Sequence, residues 1–364
     1  MGPWQIFNIF SLKDTFYLLL NGKHRATTKS IFTMKAIIPV AGIGSRLRPH
    51  THTQPKALIP VAGKPILAHI VDKLIAEGIS DFVFVIGYMG DKIEEYIVQT
   101  YPKLNSTFVI QTSGKGIAHA IHLTKEHIHL EEELLIVLGD TIFEADLGKV
   151  LALKESAIGI KKVEDPRLFG VAELNKQGKV VKLVEKPLIP KTNLALVGVY
   201  YLNQAGPLLE AIQYIIDNKI KTQNEYHLTD ALMYMVQKGS VIGTFEVDNW
   251  FDCGKKEILL QTNTLLLKRL GEEQNTNHIL EHSIIIPPVY IGENAVIRHS
   301  VIGPNVSIGN DTHIESSIIC NSIIGPHAHI GQAVLKDSLI GNDASLKGMV
   351  HTLNLGDSAE INFS

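Results

Sequence analysis

Arg46 and Lys56 stand ten residues apart on the return path of a glycine turn, Val40-Ala41-Gly42-Ile43-Gly44-Ser45-Arg46. Glycine lets a main chain pass close to a bulky anion with its N–H groups turned inward. An arginine and a lysine just beyond can neutralise a polyphosphate. The apolar segment Ala36–Val40 runs straight into the turn. The stretch therefore reads as a nucleoside triphosphate loop at a strand exit, with Ala41, Gly42 and Gly44 nearest the anion. Two other glycine loops are excluded. A dinucleotide fingerprint wants glycine where Leu47 stands, and a P-loop wants Gly-Lys-Ser/Thr opening a helix. Pro49 and Pro55 bar an early helix, so the loop is expected to stay extended as far as Pro60. A plain glycine turn with solvated cations is the competing reading of these residues alone.

Carboxylates supply the complementary chemistry. Asp140 ends an apolar run in Leu138-Gly139-Asp140, and Asp252 sits in Trp250-Phe251-Asp252-Cys253-Gly254. Mg²⁺ typically takes one or two protein carboxylates and completes its shell with water and substrate phosphates. Two aspartates converging on a triphosphate loop suit it; separately, each also fits an ordinary turn or cap. Lys186 in Glu185-Lys186-Pro187 can hold a second phosphate, and Glu185 can accept hydrogen bonds from sugar hydroxyls. Gly170, in Asp165-Pro166-Arg167-Leu168-Phe169-Gly170-Val171, can bring main chain against a sugar ring. Gln111 carries an amide able to read a thymine or uracil edge, with Gly116 allowing close approach. Each has a bland alternative as a loop or strand-end residue.

The elements that would position these groups alternate. Strands are expected at Lys35–Val40, Asp81–Ile86, Thr107–Gln111, Leu134–Leu138 and Val180–Val184. Helices are expected at Ile66–Glu77, Asp91–Gln99 and Gly116–Leu123. Such alternation predicts an α/β, Rossmann-like, mostly parallel sheet, with ligands beyond the carboxyl ends of its strands. The glycine loop and Gly139-Asp140 both fall there. After a helical connector at Lys255–Leu270 and a polar linker, apolar anchors recur every five or six residues: Ile291, Ile297, Ile302, Ile308, Ile314, Ile319, Ile324, Ile330, Leu335, Ile340 and Leu346. Glycine follows six of the anchors. This is a hexapeptide β-helix repeat, expected to make three or four coils and to serve as an oligomer contact or a lid. The expected organisation is an extension over 1–33, a catalytic domain over 34–254, a connector and linker over 255–283, a β-helix over 284–348 and a tail over 349–364.

Composition narrows the function classes. The 364 residues carry a net charge of −3, which gives no global basic field for nucleic acid. Two cysteines cannot make a disulfide framework. No apolar run approaches the roughly 18 residues of a membrane span. Residues 1–33 break their apolar runs with Lys13 and Asp14, a poor signal peptide. Met34-Lys35 reads as a natural start, and a cytoplasmic protein is expected.

In their order along the chain, these motifs resemble the sugar nucleotidyltransferase family, specifically the long-form glucose-1-phosphate thymidylyltransferases with a C-terminal left-handed β-helix. The resemblance rests on Gly42-Ile43-Gly44-Ser45-Arg46 with Pro55-Lys56, Leu138-Gly139-Asp140, Asp165 to Val171, Glu185-Lys186-Pro187, Val197-Gly198-Val199-Tyr200, Glu225-Tyr226-His227-Leu228-Thr229-Asp230 and Trp250 to Gly254. It implies that Arg46 and Lys56 hold a triphosphate, Asp140 and Asp252 a Mg²⁺ ion, and Gln111 and Gly116 the base. It further implies that Gly170, Glu185 and Val197 contact the sugar and Lys186 its phosphate. A nucleoside triphosphate and a sugar 1-phosphate would be the substrates, and a homo-oligomer the assembly. Ile43, His119, His227 and Leu228 depart from the family pattern, and His119 leaves the base open. Rival readings are a hexapeptide acyltransferase, alone or as a second activity, and a non-catalytic assembly subunit.

Overall fold

The computed structural model of this chain describes residues 34–270, 278–348, 350–351 and 353–362. The expected extension over 1–33 and the core of the polar linker, 271–277, lie outside the described residues. The first strands are β1 (Lys35–Pro39), β2 (Asp81–Ile86), β3 (Asn105–Ile110) and β4 (Leu134–Val137). Between them lie α1 (Ile66–Ala76), α2 (Gly90–Thr100) and α3 (Ile117–His122). Later elements are β5 (Thr141–Glu144), β6 (Ala157–Lys162), β7 (Val171–Leu174), β8 (Val180–Val184) and β9 (Leu194–Leu202). They are followed by α4 (Gly206–Asp217), α5 (Leu228–Gln237), β10 (Gly243–Glu246), β11 (Asn249–Asp252) and α6 (Lys256–Leu270).

The main sheet runs β8-β7-β9-β4-β1-β2-β3, with β6 on β9 and β10 on β6. Strands β4, β1, β2 and β3 are parallel. Strand β9 joins β4, β6 and β7 antiparallel. The expected parallel sheet is thus one half of a mixed one. The parallel strands are continuous apolar runs because both faces are covered. Ile38, Phe82, Phe84 and Leu135 pack with α1, α2 and α6 on one face. Ile37, Val83, Leu134 and Ile136 pack with α3, α4 and α5 on the other. Because β1 lies between β2 and β4, connections leave it in both directions. That opens a crevice at the carboxyl ends of β1 and β4, the topological switch point.

The segment after the glycine turn is not extended as expected. It forms three single 3₁₀ turns, Ser45–Leu47, His50–His52 and Lys56–Leu58. Pro49 and Pro55 precede the last two, with φ of −84° and −66°. Proline excludes a continuing helix but presets the angle that opens a single turn.

The C-terminal strands stack into parallel sheets of six, five and five strands, running from Ile279–Glu281 to Glu360–Asn362. This is the left-handed β-helix of hexapeptide repeats. All eleven predicted anchors are buried. They align in ladders such as Ile291–Ile308–Ile324–Ile340–Leu355. Successive partners stand 17, 16 or 15 residues apart, because some corners use five-residue steps. Left-handed residues make the corners, among them Asn294, Asn305, Asp311, Asn321, Asp337 and Asp343. Asn and Asp tolerate that conformation best after glycine. The array is longer than three or four coils and passes both expected limits, 284 and 348. Its first and last strands lack the apolar-glycine signature, which is why periodicity missed them.

The β-helix packs on the α/β domain. Ile323 and Leu339 belong to the same core cluster as α1 and α6. The fully buried Asn263 of α6 accepts from the Ala62 N–H at 2.9 Å and the Ser307 hydroxyl at 2.6 Å. Its amide donates to the Asn305 carbonyl at 3.3 Å.

Candidate nucleotide and sugar phosphate site

A cleft of about 920 Å³ opens at the switch point, lined by Ala41, Gly42, Gly44, Lys56, Gln111, Gly116 and Asp140 among others. Glycine serves different ends within it. Gly44 has φ +68°, and a Cβ there would lie 2.9 Å from Lys56 Cβ and 3.0 Å from Thr51 Cγ2. A Cβ on Gly42 would meet nothing within 4 Å. Gly42 therefore leaves open cleft rather than relieving a protein clash. A Cβ on Gly139 would lie 2.9 Å from the Pro39 carbonyl, so the ends of β4 and β1 approach closely there.

The expected cations and carboxylates meet. Lys56 Nζ donates to Asp140 Oδ2 at 2.5 Å and lies 3.7 Å from Asp252 Oδ1. Arg46 Nη2 is 4.0 Å from Asp252 Oδ2, and a Cβ on Gly254 would intrude to 2.7 Å from that nitrogen. Strand β11 pairs with β5, which puts Asp252 opposite Thr141 and beside Asp140. Burial first and the Asp140 charge second raise the Asp252 carboxyl above its ordinary pKa. Two hard carboxylates, close enough to repel and only partly offset by Lys56, fit a divalent cation of the Mg²⁺ class. Among the described residues no group of three or more His, Cys, Asp and Glu gathers as a metal site. Cys253, next to Asp252, is inert, because burial raises its thiol to about 12.

Gln111 is buried at the end of β3. Its Nε2 donates to the Gly116 carbonyl at 3.2 Å and to His119 Nδ1 at 3.1 Å. Burial, then the Lys115 and His122 charges, lower the His119 pKa and favour the neutral ring that such an acceptor requires. Both amide hydrogens are engaged, which leaves Oε1 as the free acceptor. Gly116 has φ +100°, and a Cβ there would lie 2.4 Å from the Tyr226 carbonyl.

The expected sugar-side residues form a second group. The Thr229 hydroxyl donates to Glu185 Oε2 at 2.7 Å, and His227 Nδ1 lies 3.5 Å from Glu185 Oε1. A Cβ on Gly170 would sit 3.0 Å from Glu185 Oε2. Lys186 Nζ is 3.9 Å from Glu185 Oε1, and Lys186 adopts φ +40°. A lysine held in the left-handed region marks a constrained position. Val197 is the exception. Its side chain packs into the core at 1 % exposure, against Gly159. Strand β9 breaks register with β6 between Leu196 and Tyr200, so only main chain at Val197 can face a ligand. The two groups adjoin. Glu225 lines the cleft, the Tyr226 N–H donates to the Lys115 carbonyl, and His227 and Thr229 follow. The Phe169 and Trp250 rings meet edge-on at 4.7 Å, tying the Gly170 loop to the strand of Asp252.

Sequence reasoning missed the support beneath the loop. The buried Thr51 donates its hydroxyl to the Gly44 carbonyl at 3.0 Å. A threonine between two histidines carries no local signal for that.

Comparison with known proteins agrees with this arrangement. Residues 35–269 match the family described as Nucleotidyl transferase. Residues 270–350 match that described as GlmU-like, C-terminal hexapeptide. The chain is 34 % identical over 262 residues to the "Bifunctional protein GlmU" of Methanocaldococcus jannaschii, an alignment covering 72 % of this chain and 61 % of that one. It thus spans less than two thirds of that relative's length. It is 32 % identical over 323 residues to a glucose-1-phosphate thymidylyltransferase of Streptomyces griseus, covering 86 % of this chain and 88 % of the other. A solved UDP-glucose pyrophosphorylase complexed with UDP-glucose superposes with a TM-score of 0.58 at 25 % identity, over 65 % of this chain and 100 % of that one.

Proposed function

This chain belongs to the nucleotidyl transferase family, and from that premise we propose that it joins a nucleoside triphosphate to a hexose 1-phosphate. The products are an NDP-sugar and pyrophosphate. UTP or dTTP is the favoured nucleotide and glucose 1-phosphate the favoured acceptor. One observation carries the reading: Lys56 bridges Asp140 and Asp252 at the mouth of a glycine-lined cleft.

An oxygen of the sugar 1-phosphate attacks the α-phosphorus in line. The new P–O bond forms as the bond to the β-phosphate breaks, and pyrophosphate leaves with that electron pair. Two polyanions must approach, so neutralisation and alignment are the main catalytic tasks. Arg46 and Lys56 hold the triphosphate, while Ala41, Gly42 and Gly44 give it room. Lys186 offsets the charge of the attacking phosphate, and Glu185, steadied by Thr229, accepts from sugar hydroxyls. The nucleophile is already ionised near neutral pH, so no general base is needed. Asp140 and Asp252 would hold Mg²⁺, which when bound supplies charge neutralisation at the phosphates.

Gln111 supports the base preference. Its free Oε1 is an acceptor and matches the N3–H of uracil or thymine, as it would the N1–H of guanine; cytosine and adenine present ring acceptors at the corresponding edge, and the thymidylyltransferase and UDP-glucose relatives favour the pyrimidines. The thymidylyltransferase and the UDP-glucose pyrophosphorylase among the named relatives support glucose 1-phosphate. A homo-oligomer is part of this reading, and light scattering tests it. The deciding experiment is pyrophosphate release from a matrix of nucleoside triphosphates and sugar 1-phosphates, with Mg²⁺ or with chelator. An added acetyl-CoA arm tests acyl transfer by the β-helix. Release only with UTP or dTTP, and only with metal, is expected. A chain inactive across the matrix rejects the proposal.

A further inference from the structure

The last coil of the β-helix meets the segment that joins Arg46 to Lys56. His50 Nε2 hydrogen-bonds Asn354 Oδ1, and the Thr53 hydroxyl donates to Asp357. Asn342 Nδ2 donates to Gln54 Oε1 at 3.2 Å. Gly356 lies so close to Pro49 that a Cβ would come within 2.9 and 3.0 Å of the proline ring. From the other side, Lys92 of α2 donates to the Thr53 carbonyl at 2.6 Å. Four contacts thus span Pro49 to Gln54, from chain positions about 300 residues later.

The clamped segment bears on the phosphate loop. Thr51 donates to the Gly44 carbonyl at 3.0 Å, and the Lys56 stem fills the space a Cβ on Gly44 would need. Lys56 then reaches Asp140 and Asp252. A shift of Pro49–Gln54 would therefore move both the glycine turn and the lysine. In positioning catalysis, small displacements of such groups are costly.

We infer that Asn354, Gly356 and Asp357 are positioning residues for the triphosphate site, so that the terminal β-helix coil holds the loop of Arg46 and Lys56 in its binding geometry. The inference rests on the reading of those two cations as triphosphate ligands.

Two measurements on the full chain separate the inference from that reading. The first is amide hydrogen exchange in Asn354→Ala, Asp357→Ala and Gly356→Val. Faster exchange confined to residues 42–58, with β1 to β4 unchanged, is expected, and this needs no substrate. The second is steady-state kinetics. The KM for the nucleotide should rise roughly five- to tenfold, the worth of one or two lost hydrogen bonds. The KM for the sugar phosphate should stay within about twofold. Thr53→Ser and Asp357→Asn, which keep a donor and an acceptor, should resemble wild type, whereas Thr53→Val should not. Thr53→Val combined with Asp357→Ala should be little worse than Asp357→Ala alone, which also removes the acceptor of the Asn342 N–H. Lys347→Ala, on an exposed face of the β-helix, is the control. Unchanged exchange at 42–58 overturns the inference. So does a uniform loosening with equal changes in both KM values, which would mean general destabilisation. A wild-type chain without pyrophosphate release would end the functional reading, while the exchange data would still decide the positioning.

Discussion

Arg46 and Lys56 divide their work by exposure. The Arg46 side chain is 58 % exposed and Lys56 only 11 %. Arg46→Ala should leave folding unchanged and lower turnover at least tenfold, about 1.4 kcal/mol of transition-state stabilisation. Wild-type turnover would remove Arg46 from the mechanism. Lys56→Ala should also destabilise the fold, because it leaves Asp140 and Asp252 facing each other without their cation. Comparing the melting temperatures of the two variants checks the division. Asp140→Asn and Asp252→Asn should each cripple activity, and the double variant should be little worse than the worse single one. Fully multiplicative losses would mean that the aspartates do not act as one unit. At Gly42 the open space predicts a clean separation. Gly42→Ala should fold normally and lose nucleotide affinity, whereas Gly44→Ala, strained at φ +68° and crowded by Lys56, should lose stability as well. Thermal melts with nucleotide titration distinguish these outcomes.

At the scale of elements, legibility followed periodicity. Strand β2 matches its expected span, and β1, β3 and β4 differ by a residue or two at their ends, because buried parallel strands are unbroken apolar runs. The anchors of the β-helix were legible for the same reason. What failed was the element whose form depends on single turns, the Ser45–Leu58 segment, where proline both forbids and permits. Alternation along β9 could not reveal the break in register that leaves the Val197 side chain in the core and only its main chain open to a ligand. The elements also bury His50 and half-bury His69, with burial the largest cause lowering each below 6.5. An unfolded chain takes up these protons near 6.5. Between the lowered folded values and 6.5 the unfolded state therefore binds more protons, and stability rises with pH. That contribution is complete above about 6.5 and is lost as pH falls through the folded values. His69→Gln should flatten part of the fall in melting temperature from pH 7.5 to 5. An unchanged slope would show that His69 does not titrate differently on folding.

At the scale of the molecule, the β-helix is more than an appended array. Sequence separation hides this, since Pro49–Gln54 and Asn342–Asp357 show nothing locally that pairs them. The apolar surface of α6 is covered from within the chain. Leu259 and Leu260 of α6 share a core cluster with Ile323 and Leu339, and Asn263 spends its polar atoms on Ala62, Ser307 and Asn305. A β-helix acting only in assembly predicts that cutting after Leu270 changes oligomeric state and solubility while each remaining site keeps its chemistry. The packing predicts otherwise. The cut uncovers α6, leaves the Asn263 amide with Ala62 alone of its three partners, and frees Pro49–Gln54. An uncompensated buried polar group and exposed apolar surface each cost on the order of 1–3 kcal/mol. A chain ending at Leu270 should therefore aggregate and melt earlier. Any soluble fraction should show a raised KM for the nucleotide, measured per active site by titration. A soluble, stable truncation with the full-length KM would assign the β-helix to assembly alone.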